Sequence, residues 1–258
     1  MSIIRRIAWE LWLPVLLVAA WWLASANSTN IYFPPLSDVM SEFVDIWFFE
    51  GIKTEIWPSL CRLGAGFGLA CLFGVGLGMV LGMVHWLEAA VRPIVEFMRA
   101  TPGVAILPVM MLLLGLGTSM KIAMIALVAT WPILLNTIDG VRSVEPVLGQ
   151  VARTYRLNRL DRIRFLVLPN AAPQIFAGAR TALAISFVAM VISEMVGTPG
   201  GIGYFVLDAQ RGFNTTAMWA GIIALGILGY LINRLFALVE SRALAWHRGM
   251  TAHNNGGK

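Results

Sequence analysis

Glu145-Pro146-Val147-Leu148-Gly149-Gln150-Val151-Ala152-Arg153-Thr154-Tyr155-Arg156-Leu157-Asn158 is a polar, arginine-rich stretch set into a nearly continuous series of apolar runs. It continues through Leu168-Pro169-Asn170-Ala171-Ala172-Pro173 to Gly178-Ala179-Arg180, where the next apolar run is already under way. Pro146 suits the first position of a helix, and Glu145 beside it is favourable near a helix N-terminus. Val147, Leu148, Val151 and Tyr155 then form an apolar stripe, while Arg153 and Arg156 project elsewhere. Arg156-Leu157-Asn158 breaks that pattern, and Leu160, Ile163 and Val167 begin a second apolar face. Pro169 and Pro173 are expected to end it and to launch the next run. The stretch therefore reads as two short helices held between apolar segments, with basic residues facing outward. A basic loop adsorbed on anionic lipid needs only clustered arginine, whereas a lever moved by a cytoplasmic motor needs the helices. These residues alone leave both readings open.

The flanks of the stretch settle the class. The chain has 258 residues, 58% of them hydrophobic and only 13% charged, with a mean hydropathy of +0.76. A soluble domain of this size has no interior able to hide so much apolar surface, so the bilayer is the solvent. Six apolar runs stand out, at 7–26, 60–84, 104–116, 122–138, 173–196 and 217–239. A helix of roughly 20 residues crosses about 30 Å of hydrocarbon. The third run is short and carries Pro108, so it is expected to begin earlier, to kink or to be partly re-entrant. The expected fold is all-α: a polytopic membrane protein of about six transmembrane helices.

Charge gives the orientation. Arg5 and Arg6, Arg92 and Arg99, the cluster from Arg142 to Arg164, and Arg242, Arg248 and Lys258 fall in alternate connections. The opposite connections hold Lys53, Lys121 and Arg211. This bias places both termini and the arginine-rich loop in the cytoplasm, and it argues against nucleic acid as the reason for the basic pI. Residues 1–26 admit a rival reading, because Arg5-Arg6, an apolar stretch and Ala24-Ser25-Ala26 resemble a cleavable signal peptide. The stretch exceeds the usual ~7–15 residues, which favours a retained helix. The expected organisation is a first helix with an extracytoplasmic amphipathic segment (1–58), a core with a loop at 143–172 (59–245), and a disordered tail (246–258).

Other segments carry local readings. After Phe33-Pro34-Pro35-Leu36, Ser37 or Asp38 is placed to cap a short helix in which Val39, Phe43, Ile46 and Trp47 share a face. That helix is expected at the membrane interface, anchored by Trp47, Phe48 and Phe49, with docking of an external partner as the less favoured alternative. Gly74, Gly78 and Gly82 recur every four residues and line one helix face for close packing. Glu88, Arg92, Glu96 and Arg99 alternate at helical spacing, as a surface helix requires. Arg62, Arg180, Glu194 and Arg234 lie in or near apolar runs, where isolated charge is expensive. Arg62 and Arg180 are long enough to snorkel to an interface. Glu194 is expected either to pair with a basic group of a neighbouring span or to line a pathway, and the pairing is favoured. Cys61 and Cys71, ten residues apart on one helix, are about 15 Å apart and too distant to bridge there. No metal-ligand cluster is evident.

Several stretches together resemble the permease subunits of ATP-binding-cassette importers. Gln150-Val151-Ala152-Arg153-Thr154-Tyr155-Arg156 is similar to that family's E-A-A-x-x-x-G loop, and Leu168-Pro169 follows where the family has its own Leu-Pro. The nitrate/sulfonate/taurine branch is resembled by Phe33-Pro34-Pro35-Leu36-Ser37-Asp38-Val39, by Arg99-Ala100-Thr101-Pro102 through Leu107-Pro108, and by Gly115-Leu116-Gly117 with Lys121-Ile122. Trp131-Pro132-Ile133 with Asn136-Thr137 and Gly140, and Glu194 with Gly200-Gly201-Ile202-Gly203-Tyr204, complete the ordered set, which spans residues 30–245. Two positions depart from the pattern. Gln150 stands for the family's Glu, and Arg156 for its Gly. A left-handed backbone at Arg156 would cost about 1 kcal/mol, so Asn158 is an alternative place for the turn.

The resemblance implies a type I importer permease in the cytoplasmic (inner) membrane, forming the solute pathway with a second permease subunit in a homodimer. A separate ABC ATPase subunit would use ATP-Mg, and an external solute-binding protein would deliver the solute. The chain itself is expected to bind no cofactor, metal or nucleic acid and not to be an enzyme; it has no G-x-x-x-x-G-K-[ST]. The implied coupling residues are Gln150, Ala152, Arg153, Tyr155, Arg156, Asn158 and Pro169. The candidate pathway residues are Glu194, Asn136 and Trp131. An ATP-independent transporter or channel is the alternative, but paired intramembrane carboxylates and inverted repeats are not evident. An intramembrane enzyme is a poorer fit, since His85, His247 and His253 are the only histidines and stand at the edges of apolar runs.

Overall fold

The computed structural model describes residues 3–246, without the side chains of residues 3–11, Phe49 and Arg153. The tail expected to be disordered therefore lies almost wholly outside the described residues. Those residues are helical and contain no strand. Four helices among them are long and apolar enough to cross a bilayer: Glu50–Met83, Thr118–Arg142, Arg159–Val196 and Thr215–Ala243. The third apolar run belongs to a bent pair, His85–Ala100 and Gly103–Leu114, which meet at 97° and raise the number to five if they form one broken span. Thr101-Pro102 makes the break, because proline disfavours helix in the residue before it. The described part of the first run, Trp12–Ser25, is a shorter apolar helix.

The chain divides into two compact units. The first comprises Met1–Pro58 with Gly200–Ile227. It holds α1 (Ile3–Ser25), α2 (Leu36–Ile46), a π-helical segment (Trp47–Ile56) and, from the later part of the chain, a short helix at 202–211. Leu36, Val39 and Ala220 are its buried centre, and the Trp21 and Trp219 rings pack 5.3 Å apart, with Phe33 6.3 Å from Trp21. Neither Ser37 nor Asp38 caps α2. Pro35 is the N-cap residue, and the Leu36 N–H donates to Ser25 Oγ at 3.0 Å, so the packed neighbour replaces a local cap. The expected stripe does turn inward, but Trp47 is no interfacial anchor: it is 3% exposed and packs edge-on against Phe205 at 5.2 Å. The expected connection up to Pro58 is also helical, running directly into α3 (Trp57–Met83).

The second unit comprises Ser59–Pro199 with Leu228–Lys258. It contains most of α3, then α4 (His85–Ala100), α5 (Gly103–Leu114), α6 (Thr118–Arg142), α7 (Pro146–Thr154), α8 (Arg159–Arg162), a second π-helical segment (Ile163–Val167) and α9 (Leu168–Val196). After α10 (Ile202–Arg211), the last helix, α11 (Thr215–Ala243), returns to this unit with its second half. Ala70, Ala129, Ile133, Ala179 and Ala182 form the core where α3, α6 and α9 meet. Small residues dominate because helices in lipid associate through close packing rather than hydrophobic exclusion. A Cβ at Gly74, Gly78 or Gly82 would lie 2.8, 2.6 and 2.7 Å from the Cβ of Ile133, Thr137 and Val141. The four-residue glycine period is thus the α3 groove that receives α6. Gly76, off that face, has open space around it.

Candidate functional site

Two charged regions stand out in the second unit, and they are built in opposite ways. The first is the loop between α6 and α9. Ala152 is buried at 4% exposure while Val147 and Tyr155 are 62% and 78% exposed, so α7 turns its small residue inward and its apolar stripe outward. The helix ends in a Schellman-type closure: the Leu157 N–H donates to the Ala152 carbonyl at 3.0 Å, as the motif requires when the preceding residue is left-handed. That residue is Arg156, with φ of 50°. Asn158 does not take the left-handed turn. It caps α8 instead, its Oδ1 accepting from the Asp161 N–H at 2.8 Å. The closure fixes the turn one residue after Tyr155, which leaves Asn158 free for the cap.

The other loop residues fall around this frame. Gln150 is exposed, and its carbonyl accepts from Thr154 Oγ1 at 3.1 Å. The Arg153 side chain lies outside the described residues. Pro169 and Pro173 do not end a short helix: α8, the π segment and α9 form one continuous helix from Arg159 to Val196. Pro169 is the second residue of α9, directly after the π segment. A proline lacks the N–H that an α turn uses, and a wide turn before it changes which carbonyl is left over. Pro58 has the same relation to the π segment at 47–56.

The second region is buried. Glu194, with no exposure, sits at the end of α9. Its Oε1 accepts from Arg62 Nη1 at 2.7 Å, and Ser59 Oγ donates to the same carboxylate at 2.8 Å. Arg62 is 9% exposed, and its guanidinium is turned to the carboxylate of a neighbouring helix. Lys121 is fully buried and donates from Nζ to the Thr198 carbonyl at 3.0 Å. Thr198 is tied in turn to the Leu116 carbonyl through its N–H and hydroxyl, each at 3.2 Å. Sequence reading placed Lys121 in a solvent-facing connection. A usable signal was there: a lysine in the first turn of a 25-residue apolar helix faces the positive end of the helix dipole and needs a reason to stay.

The remaining candidates are engaged separately. Asn136 donates from Nδ2 to the Pro132 carbonyl at 2.8 Å, and its Cβ lies where Gly178 leaves room for α6 against α9. Trp131 packs on the cluster of Leu81, Val95, Leu134 and Ile138. Glu194, Asn136 and Trp131 are thus held by different neighbours rather than gathered at one site. Arg180 pairs with Glu240 of α11 at 3.0 Å, its side chain half exposed. An apolar recess of about 360 Å³ opens between α5, α6 and α9, with Gly103, Met124, Val128, Ala184 and Val188 on its walls. Among the described residues no cluster of His, Cys, Asp or Glu is able to hold a metal ion.

The described residues form apolar helices long enough to cross a bilayer, with a structured helical loop set between α6 and α9. Residues 74–244 match the family model of the binding-protein-dependent transport system inner membrane component, and the chain belongs to that family. It is 29% identical over 247 residues to a Bacillus subtilis protein named as an aliphatic sulfonates transport permease, SsuC, covering 94% of this chain and 89% of that one. It is 32% identical over 195 residues to the nitrate import permease protein NrtB of Leptolyngbya laminosa, covering 76% and 70% of the two chains. Among solved structures, a chain of the inward-facing MetNI methionine ABC transporter superposes with a TM-score of 0.65 at 21% identity, covering 74% of this chain and 94% of that one.

Proposed function

We propose that this chain is the membrane-spanning permease subunit of an ATP-driven importer and lines the solute pathway. It carries no nucleotide site of its own, and the loop from α7 to the second π segment docks a separate ATPase in the cytoplasm. The observation that carries this reading is the outward-facing apolar stripe of α7. A stripe of Val147, Leu148, Val151 and Tyr155 left exposed beside five arginines has the make-up of a protein interface, with an apolar centre and a polar rim. Its seat between two spanning helices, α6 and α9, gives movement of the loop a direct route into the bundle. The positive-charge bias puts this loop, and both termini, on the cytoplasmic side of the inner membrane.

A second copy of the chain completes the pathway, and the apolar recess bounded by α5, α6 and α9 supports that role. An external solute-binding protein supplies the solute. The relatives named for sulfonates and nitrate point to a small anionic solute, with sulfonates first. ATP binding and hydrolysis in the partner drive alternation between inward and outward states by population shift.

The test is co-purification in mild detergent with a candidate ABC ATPase from the same organism. Binding-protein-stimulated ATP hydrolysis is then measured in vesicles. The wild-type pair is expected to co-purify and respond to loaded binding protein. Leu148→Asp/Val151→Asp is expected to lose both while the permease stays monodisperse. A folded wild-type chain that recruits no ATPase would remove the reading.

A further inference from the structure

The loop fixes the chemistry of its partner. We propose that the ATPase groove receiving α7 has an acidic rim, and that Arg156, held left-handed, is the residue that selects for it. This rests on the docking reading above and goes beyond it by naming the charge of the partner surface.

Three features of the loop lead there. Residues 143–172 contain five arginines, two carboxylates (Glu145 and Asp161) and no lysine. Arginine presents a planar fork that matches a carboxylate in bidentate fashion, whereas lysine is a point charge. Arg156, Arg159, Arg162 and Arg164 are all exposed, and among the described residues none of them meets a carboxylate within salt-bridge distance. Arg164 lies over the Phe165 ring at 5.4 Å. Among the described residues no carboxylate serves as the counterpart of these arginines.

The backbone supplies the specificity. Arg156 has φ of 50°, a conformation glycine adopts without penalty and a side chain resists. The closure from Leu157 to Ala152 on one side and the Asn158 cap of α8 on the other fix where the Arg156 side chain leaves the loop. An anionic lipid surface needs clustered charge and no such geometry. A rigid frame carrying arginine forks suits a folded protein with carboxylates at matching positions. Gln150, uncharged and exposed on the same helix, adds no acidic group to repel that rim.

The experiment titrates the candidate ATPase against detergent-purified permease at low and high salt. It compares wild type, Arg156→Glu/Arg159→Glu, Arg156→Lys and the stripe variant Leu148→Asp/Val151→Asp, each checked for helicity and monodispersity. Charge reversal is expected to raise Kd about tenfold or more at low salt, with the difference shrinking as salt screens it. Arg156→Lys is expected to fall between wild type and the reversal. Replacing the facing carboxylates of the ATPase by lysine should restore binding to the reversed permease. If reversal leaves Kd unchanged at every salt while the stripe variant abolishes binding, the acidic rim is wrong and the docking reading stands. If neither variant changes Kd, both fail. If reversal weakens only binding to phosphatidylglycerol vesicles, the arginines face lipid and the proposal is overturned.

Discussion

The Arg62–Glu194 pair and the arginines of the α7–α8 loop use the same side chain under opposite constraints. In the core, Arg62 meets a carboxylate at 2.7 Å, and Ser59 shares that carboxylate. In the loop, Arg156, Arg159 and Arg162 are exposed and have no carboxylate partner within the described chain. A charge away from water must be paired, because desolvation costs several kcal/mol per ion; a charge in water is free to wait for a partner. Charge buried in this protein is therefore tied to assembly of the bundle, whereas charge exposed on the loop is not.

The largest test of that contrast removes one side of the buried pair. Glu194→Ala leaves Arg62 buried without its carboxylate, and the expected loss is about 3–5 kcal/mol, read as a fall in the thermal midpoint in detergent. Arg62→Met/Glu194→Leu is expected to recover most of it, since a buried pair and an apolar replacement are often close in stability. A single variant as stable as wild type would break the comparison. The same replacement made at the loop residues Arg156 and Arg159 is expected to change stability by no more than about 0.5 kcal/mol.

A smaller effect tests the close packing of α3 on α6. Gly78→Ala brings a Cβ to 2.6 Å from Thr137 Cβ and 2.9 Å from the Leu134 carbonyl, an overlap expected to cost about 1–3 kcal/mol. Gly76→Ala, with nothing within 4 Å, is expected instead to gain up to about 1 kcal/mol from helix propensity. Opposite signs for two glycines two residues apart would be visible in unfolding by denaturing detergent.

The smallest effects belong to the loop itself. Asn158→Ala removes the cap of α8 and is expected to cost about 1 kcal/mol locally, seen as faster hydrogen exchange at Asp161. Arg156→Gly relieves the left-handed side chain and is expected to slow exchange at Leu157, a gain of about 1 kcal/mol. Such a loop, firmer yet weaker in ATPase binding, would sharpen the division between stability and recognition.

Much of this was legible in the residues. The apolar runs, the short third segment with Pro108, the glycine face and the helical start at Pro146 all follow from local rules of length, period and capping. The family resemblance implied a coupling role for the loop. Three features were not legible. Pro169 and Pro173 read as the end of a short helix, but Pro169 follows a π-helical segment and Pro173 lies inside the continuous α9. Trp47 read as an interfacial ring, but Phe205, 158 residues further along the chain, claims it. Lys121 read as a solvent-facing charge, but it ends at the Thr198 carbonyl.

The sequence by itself determined the solvent of this protein, its all-helical class and the polar loop between apolar helices, because hydrophobicity and helical period are properties of neighbouring residues. Tertiary structure decided which charges are buried and which are offered outward. Whether Arg62 pairs or snorkels depends on a carboxylate 132 residues away, and no local pattern records that distance.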